Sequence, residues 1–200
     1  MRVKSQKKKK PLFLIAVLIL LALIILVFGN TIYKIAHEKY LLMSYPIKYE
    51  ELVEKYAYEN EVDKFLIYAI IKTESDFKPG AESHLGARGL MQIMEPTFEW
   101  IRYRFGDSDE LVYDIMYEPE QNIRYGSYLI SYLIGYFDSV ELAICAYHAG
   151  IGNVDSWLQN PDYSKDGEKL DVVPISDTDY YLEKVTNALN IYHNLYMEEN

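Results

Sequence analysis

Two hundred residues, half of them hydrophobic and a quarter charged, leave room for one globular domain of ordinary size and a short extra segment. The first ten residues hold six basic groups (Arg2, Lys4 and Lys7 to Lys10) and no acid, so of 20 basic groups 14 remain against 30 acids, about −16 for the rest of the chain. That balance excludes binding to nucleic acid by phosphate neutralisation, and a single cysteine, Cys145, excludes a fold stapled by intrachain disulfides.

From Pro11 to Phe28 run eighteen uncharged residues, mostly Leu, Ile and Val. At a helical rise of roughly 1.5 Å per residue they are just long enough to span a hydrocarbon core. The basic residues ahead of them place the N-terminus in the cytoplasm and the remainder outside. A cleaved signal peptide shares the basic start, but its apolar core is usually shorter, and no A-x-A-like site follows Phe28. The reading is therefore an uncleaved single-pass anchor in the cell membrane, with the folded part extracytoplasmic. No cysteine lies near enough for lipid attachment there. The expected division is a cytoplasmic tail over 1–10, an anchor over 11–29, a stalk over 30–48 and a folded domain over 49–200.

Thr31 to Ser44 continues the helical pattern, and Tyr45-Pro46 interrupts it because proline disfavours helix at the residue before it. Tyr49 to Glu59 reads as an amphipathic helix with Leu52, Val53 and Tyr56 inward, and Asp63 as the N-cap of the next. In that next helix Leu66, Ile70 and Glu74 fall four residues apart, so Glu74 continues an apolar stripe where a surface acid would sit on the opposite face. A carboxyl at the end of a buried stripe is desolvated, which raises its pKa. A carboxyl that stays protonated near neutral pH is what general-acid work requires.

After Glu74 the pattern breaks. Pro79-Gly80, Gly86 and Gly89, with Ala81 and Ala87, predict a tight loop folding back over the helix end. Leu90, Met91, Ile93 and Met94 then predict a short second helix, and Thr97 a cap for the helix carrying Phe98, Trp100 and Ile101. A polar loop follows over Gly106 to Glu110, then a long helix from Pro119 to about Tyr136 in which Gly126 is read as a close-packing point against the Glu74 helix. Val140 to Tyr147, Asn153 to Leu158 and Tyr180 to about Met197 complete seven or eight helices around the polar loop Asn160 to Asp171. No strand alternation spans a convincing window, so the fold class is all-α. Cys145 lies inside an apolar helical run and reads as a core residue. His37, His84, His148 and His193 show no ligand spacing, so neither a metal nor a cofactor is expected.

The stretch after Ile71 resembles the transglycosylase SLT family, whose pattern is roughly E-S-x-F-x-P-x-A-x-S-x-x-G-A-x-G-L-M-Q-x-M-P-x-T. Here it reads Glu74-Ser75, Phe77, Pro79, Ala81, Ser83, Gly86-Ala87, Gly89-Leu90-Met91-Gln92, Met94 and Thr97, with the proline after Met94 displaced to Pro96. Asn122-Ile123, Gly126 and Tyr128-Leu129 match a second family signature. Ala146-Tyr147-His148-Ala149-Gly150 matches A-Y-N-A-G, except that His148 replaces asparagine. A last signature, I-P-x-x-E-T-x-x-Y-x-x-x-V, is met by Val173 to Val185 with Asp177 for glutamate and with Tyr181 in place. Asp177 also fits an N-cap for the final helix.

The resemblance implies a lysozyme-like fold over roughly Tyr49 to Tyr192 and cleavage of the β-1,4 bond between N-acetylmuramic acid and N-acetylglucosamine in peptidoglycan. It implies Glu74 as the single catalytic acid and base, giving a 1,6-anhydro sugar without consuming water. It also implies substrate-side roles for Ser83, Gln92, Met94, Tyr147, His148, Asp177 and Tyr181, with Tyr147 helping to orient the acid. Ordinary glycoside hydrolysis uses two carboxylates. A hydrolytic muramidase on the same fold, with Asp177 or Glu82 holding a water, stays open from sequence. So does a membrane-anchored wall-binding protein that has lost turnover through His148 and Asp177.

Overall fold

The computed structural model describes residues 10–197, and the chain falls into two compact units that meet between Pro46 and Ile47. The first is a single unbroken helix, α1 (Lys10–Ser44), which runs through the border expected between anchor and stalk. Its span Phe13–Ser44 contains an 18-residue window of mean hydropathy 3.0, none of it buried, and is long and apolar enough to cross a membrane.

The second unit is built, among its described residues, from helices alone: α2 (Glu50–Glu59), α3 (Lys64–Ser75), α4 (Glu95–Phe105), a 3-10 turn (Tyr113–Tyr117), α5 (Pro119–Phe137), α6 (Val140–Ala149), α7 (Ile151–Leu158) and α8 (Ser176–Tyr196). The fold is all-α, with α3 at its centre. Every residue from Phe65 to Ile71 is buried, as expected of a helix enclosed on all sides by neighbours. It packs most extensively on α8, while α5 packs on α6 and α6 on α8. Burying each large side chain of α3 contributes about 1.5–3 kcal/mol. The last turn of α3, which carries Glu74, therefore stands on a helix whose body is buried in the core.

Helix starts follow local chemistry. The Asp63 carboxylate accepts from Phe65 N at 2.8 Å and caps α3, and the Ser139 hydroxyl accepts from Leu142 N at 3.3 Å to cap α6. Three expectations are corrected. Thr97 is not a cap, because α4 already begins at Glu95 with Met94 in the cap position and Pro96 in its first turn. Asp177 is not a cap either: α8 begins at Ser176, so Asp177 and Asp179 lie inside its first turn, where carboxylates favour the positive helix end. Residues 90–94 form no helix but a turn ending in an isolated bridge from Ile93 to Arg88, with Gly89 and Gln92 at positive φ, 80° and 49°.

Candidate active site

Glu74 sits in the last turn of α3. The chain leaves that helix through two consecutive left-handed residues, Asp76 and Phe77, and the buried Phe77 ring packs 6.3 Å from Tyr68. The loop that follows is fastened back onto the helix end. The Ser75 hydroxyl donates to Leu90 O at 2.7 Å. The Asn122 carboxamide is fully buried: its oxygen accepts from Met91 N at 2.6 Å, and its amide donates to Arg88 O and Met116 O at 2.8 Å each. Tyr113 places its hydroxyl 2.7 Å from both Gly86 O and Ile93 O.

Two glycines make the fit possible. A Cβ on Gly89 would stand 2.0 Å from Met116 O, and a Cβ on Gly126 would stand 2.3 Å from the Met91 sulfur. Gly126 is thus a close-packing point against the loop residue Met91, rather than against α3 as its position in a helix suggested.

The hydroxyl that reaches the acid belongs to Tyr181 of α8, which donates to Glu74 Oε1 at 2.7 Å. Tyr147 does not make that bond: its hydroxyl donates to Met91 O at 2.7 Å and so braces the loop. The part expected of Tyr147 falls to Tyr181 because Tyr147, at the end of α6, bonds the loop, whereas Tyr181 rises from the helix packed directly on α3. Burial raises the Glu74 pKa from 4.5 to about 7, while the Tyr181 bond and the Lys184 ammonium act in the opposite direction. Burial likewise holds Tyr147 and Tyr181 far above the ordinary tyrosine range, with the Glu74 carboxylate adding to the effect.

His148 is exposed on one side and stacks on Tyr181 with the other, ring centroids 4.6 Å apart at 27°. Its Nδ1 lies 3.1 Å from the hydroxyl of the buried Thr178. Burial lowers its pKa, against the pull of Asp177. Asp177 itself is exposed on the first turn of α8.

The remaining site residues named from sequence lie in and after the loop. Ser83 accepts at its hydroxyl oxygen from Ala87 N at 3.0 Å and Leu85 N at 3.3 Å. Gln92 donates its amide to Gly89 O at 2.9 Å and Ala81 O at 3.1 Å, which leaves its carbonyl oxygen as the group it can offer a ligand. Met94 is 37% exposed at the start of α4. The structure therefore brings Glu74, Tyr181 and His148 into one connected group, and spends the polar groups of Ser83, Gln92 and Tyr147 largely on shaping the loop beside it. Sequence reasoning missed Asn122, Tyr113 and Thr178 as supports. Asn122 and Thr178 stand inside the quoted signatures, and that position was the available signal. Cys145 is buried, with its thiol pushed up to about 11 by that burial.

The family model for the transglycosylase SLT domain matches residues 51–170. The chain belongs to that family. Among relatives, the soluble lytic murein transglycosylase of Salmonella typhimurium is 31% identical to this SLT protein over 155 residues, covering 76% of it and 24% of the relative. The membrane-bound lytic murein transglycosylase C of Sodalis glossinidius is 35% identical over 116 residues, covering 54% and 32%. The 70-kDa soluble lytic transglycosylase of Escherichia coli superposes with a TM-score of 0.68 at 27% identity, over 77% of this chain and 25% of that one. The lytic transglycosylase Slt of Pseudomonas aeruginosa superposes with a TM-score of 0.67 at 27% identity, again over 77% and 25%, and is described as an inactive mutant in which glutamine replaces a glutamate. The SLT protein thus spans about a quarter of the length of its soluble relatives, and the likeness identifies the lysozyme-like helical fold of this family.

Proposed function

We propose that this SLT protein is a peptidoglycan lytic transglycosylase, anchored by α1 in the cell membrane in a single pass with its domain facing the wall. The names carried by the lytic murein transglycosylases among its relatives support the activity, and the long apolar helix together with the membrane-bound relatives supports the anchor. In the proposed reaction protonated Glu74 gives its proton to the glycosidic oxygen as the bond to C1 of the muramic acid breaks. The resulting carboxylate then takes the proton of the C6 hydroxyl as that oxygen closes on C1. The acid is restored, the product is a 1,6-anhydro end, and no water is consumed.

The observation that carries this reading is the surroundings of Glu74. A pKa near 7 lets one carboxyl serve as acid and then as base in the same pH range. Burial sets that displacement, and the Tyr181 hydroxyl and the Lys184 ammonium act against it. Gln92, Ser83, Met94, Tyr147, His148, Asp177 and Tyr181 are proposed to border the glycan path, with Tyr181 on the acid itself. A Glu74→Gln variant of the full chain in detergent separates the alternatives. Sedimentation with insoluble peptidoglycan should persist while release of soluble fragments disappears. Fragment release that survives in Glu74→Gln would refute the assignment of the acid, and a wild-type chain that binds without releasing fragments would leave a wall-binding protein.

A further inference from the structure

We propose that His148 is a positioning residue for the acid, acting on Glu74 only through Tyr181. The inference rests on Glu74 being the catalytic acid, and it concerns the one position where this chain replaces the asparagine of the family signature with an aromatic ring. Thr178 and Tyr181 are three residues apart on α8 and so lie on one face of it. His148 reaches across from the end of α6 and engages both, laying its ring on the phenol and setting Nδ1 against the Thr178 hydroxyl. The ring lies on the phenol, and the phenol holds Glu74. Thr178 is 1% exposed, so the edge bond fixes the imidazole to a side chain that has little room to move. A carboxamide at this position can satisfy Thr178 but offers no ring face to the phenol.

The charged and titratable groups around this contact are few. From α8 they are Asp177, which faces the imidazole, Tyr181 beneath it, and Lys184, which acts on Glu74. From α3 there is Glu74 itself, held by the phenol, and from α6 Tyr147, which acts on Tyr181. A bond from Tyr181 favours the charged form of Glu74. Loosening the phenol should therefore raise the pH at which Glu74 titrates and move the alkaline limb of activity with it.

The test follows the Glu74 carboxyl by NMR in the full chain in detergent micelles, using 13C-labelled glutamate and the Glu74→Gln spectrum for assignment, beside pH profiles of glycan cleavage. His148→Ala should move the Glu74 midpoint up by roughly half a unit to one unit. In a Tyr181→Phe background, which has already lost the bond, the same change should move it by less than about 0.2 units. His148→Phe, which keeps a ring on Tyr181, should keep the Glu74 midpoint near that of wild type, and His148→Gln, which keeps a polar edge without the ring, should move the midpoint as His148→Ala does. These two also serve if the alanine variant does not fold. An equal shift with and without the Tyr181 hydroxyl would overturn the proposal, and so would a rise in KM at an unchanged Glu74 midpoint. A wild-type Glu74 titrating near 4.5 in a protein without turnover would instead overturn the reading of Glu74 itself.

Discussion

Replacing Glu74 by glutamine should stabilise the protein at alkaline pH and leave its stability unchanged in acid. The folded-state pKa is raised above that of the unfolded chain, from 4.5 to about 7, so between those values the folded state keeps a proton that the unfolded chain has released. Stability is then lost as pH rises through that window, and the loss is complete above about pH 7. The displacement corresponds to a ceiling of about 3 kcal/mol at 1.36 kcal/mol per pH unit. The side chain keeps some exposed surface, which reduces the expected cost to about 1–2 kcal/mol. Glutamine has no proton to lose and can still accept from Tyr181, so the variant should recover that amount. For a domain of this size this means a Tm higher by about 2–8 °C at pH 8.5, with a difference near zero at pH 4. Thermal unfolding of both full-length proteins in the same detergent at the two pH values measures it. Equal Tm values at pH 8.5, or a gain that does not depend on pH, would refute the claim that burial of the charged carboxylate sets the Glu74 pKa.

Other substitutions probe the supports of the site. Tyr181→Phe removes a bond that favours the carboxylate, so the alkaline limb of the activity profile should move to higher pH, by less than about one unit; a limb that moves down would contradict the direction assigned to the bond. Asn122→Ala takes the buried partner from Met91 N and Met116 O, while Arg88 O keeps its bond from Ile93 N, and should cost about 2–3 kcal/mol in denaturant unfolding, with cleavage falling at a nearly unchanged pH optimum. Gly126→Ala forces a Cβ onto the Met91 side chain and should cost about 1–3 kcal/mol by the same assay. Gly89→Ala should cost more, because its Cβ meets backbone at Met116 O and its φ of 80° strains any side chain.

The parts legible in the sequence were those written in local spacing. The period-four stripe of Leu66, Ile70 and Glu74, the Asp63 cap and the opening of α5 at Pro119 are decided within a turn or two of chain, and the structure has them as read. The assignment of the two tyrosines was not local. Residues 147 and 181 belong to different helices, and only the packing of α8 on α3 decides which hydroxyl meets Glu74. Residues 90–94 carry a helical apolar pattern, yet Ile93 pairs back with Arg88 in a bridge, Asn122, some thirty residues on, accepts the Met91 N–H, and Gln92 turns left-handed. The 3-10 turn Tyr113–Tyr117 left no readable period, because five residues are too few to display one. Gly126 was recognised as a close-packing point from its place inside a helix, but the identity of its neighbour is a tertiary fact.

The central claim is that one carboxyl closes the sugar on itself, and the mass of the product tests it most directly. Purified peptidoglycan digested by the full chain in detergent should release muropeptides lighter by one water than hydrolytic products and resistant to borohydride reduction. Fragments with reducible, hydrated ends would contradict the account and require a second group near Glu74 to activate water.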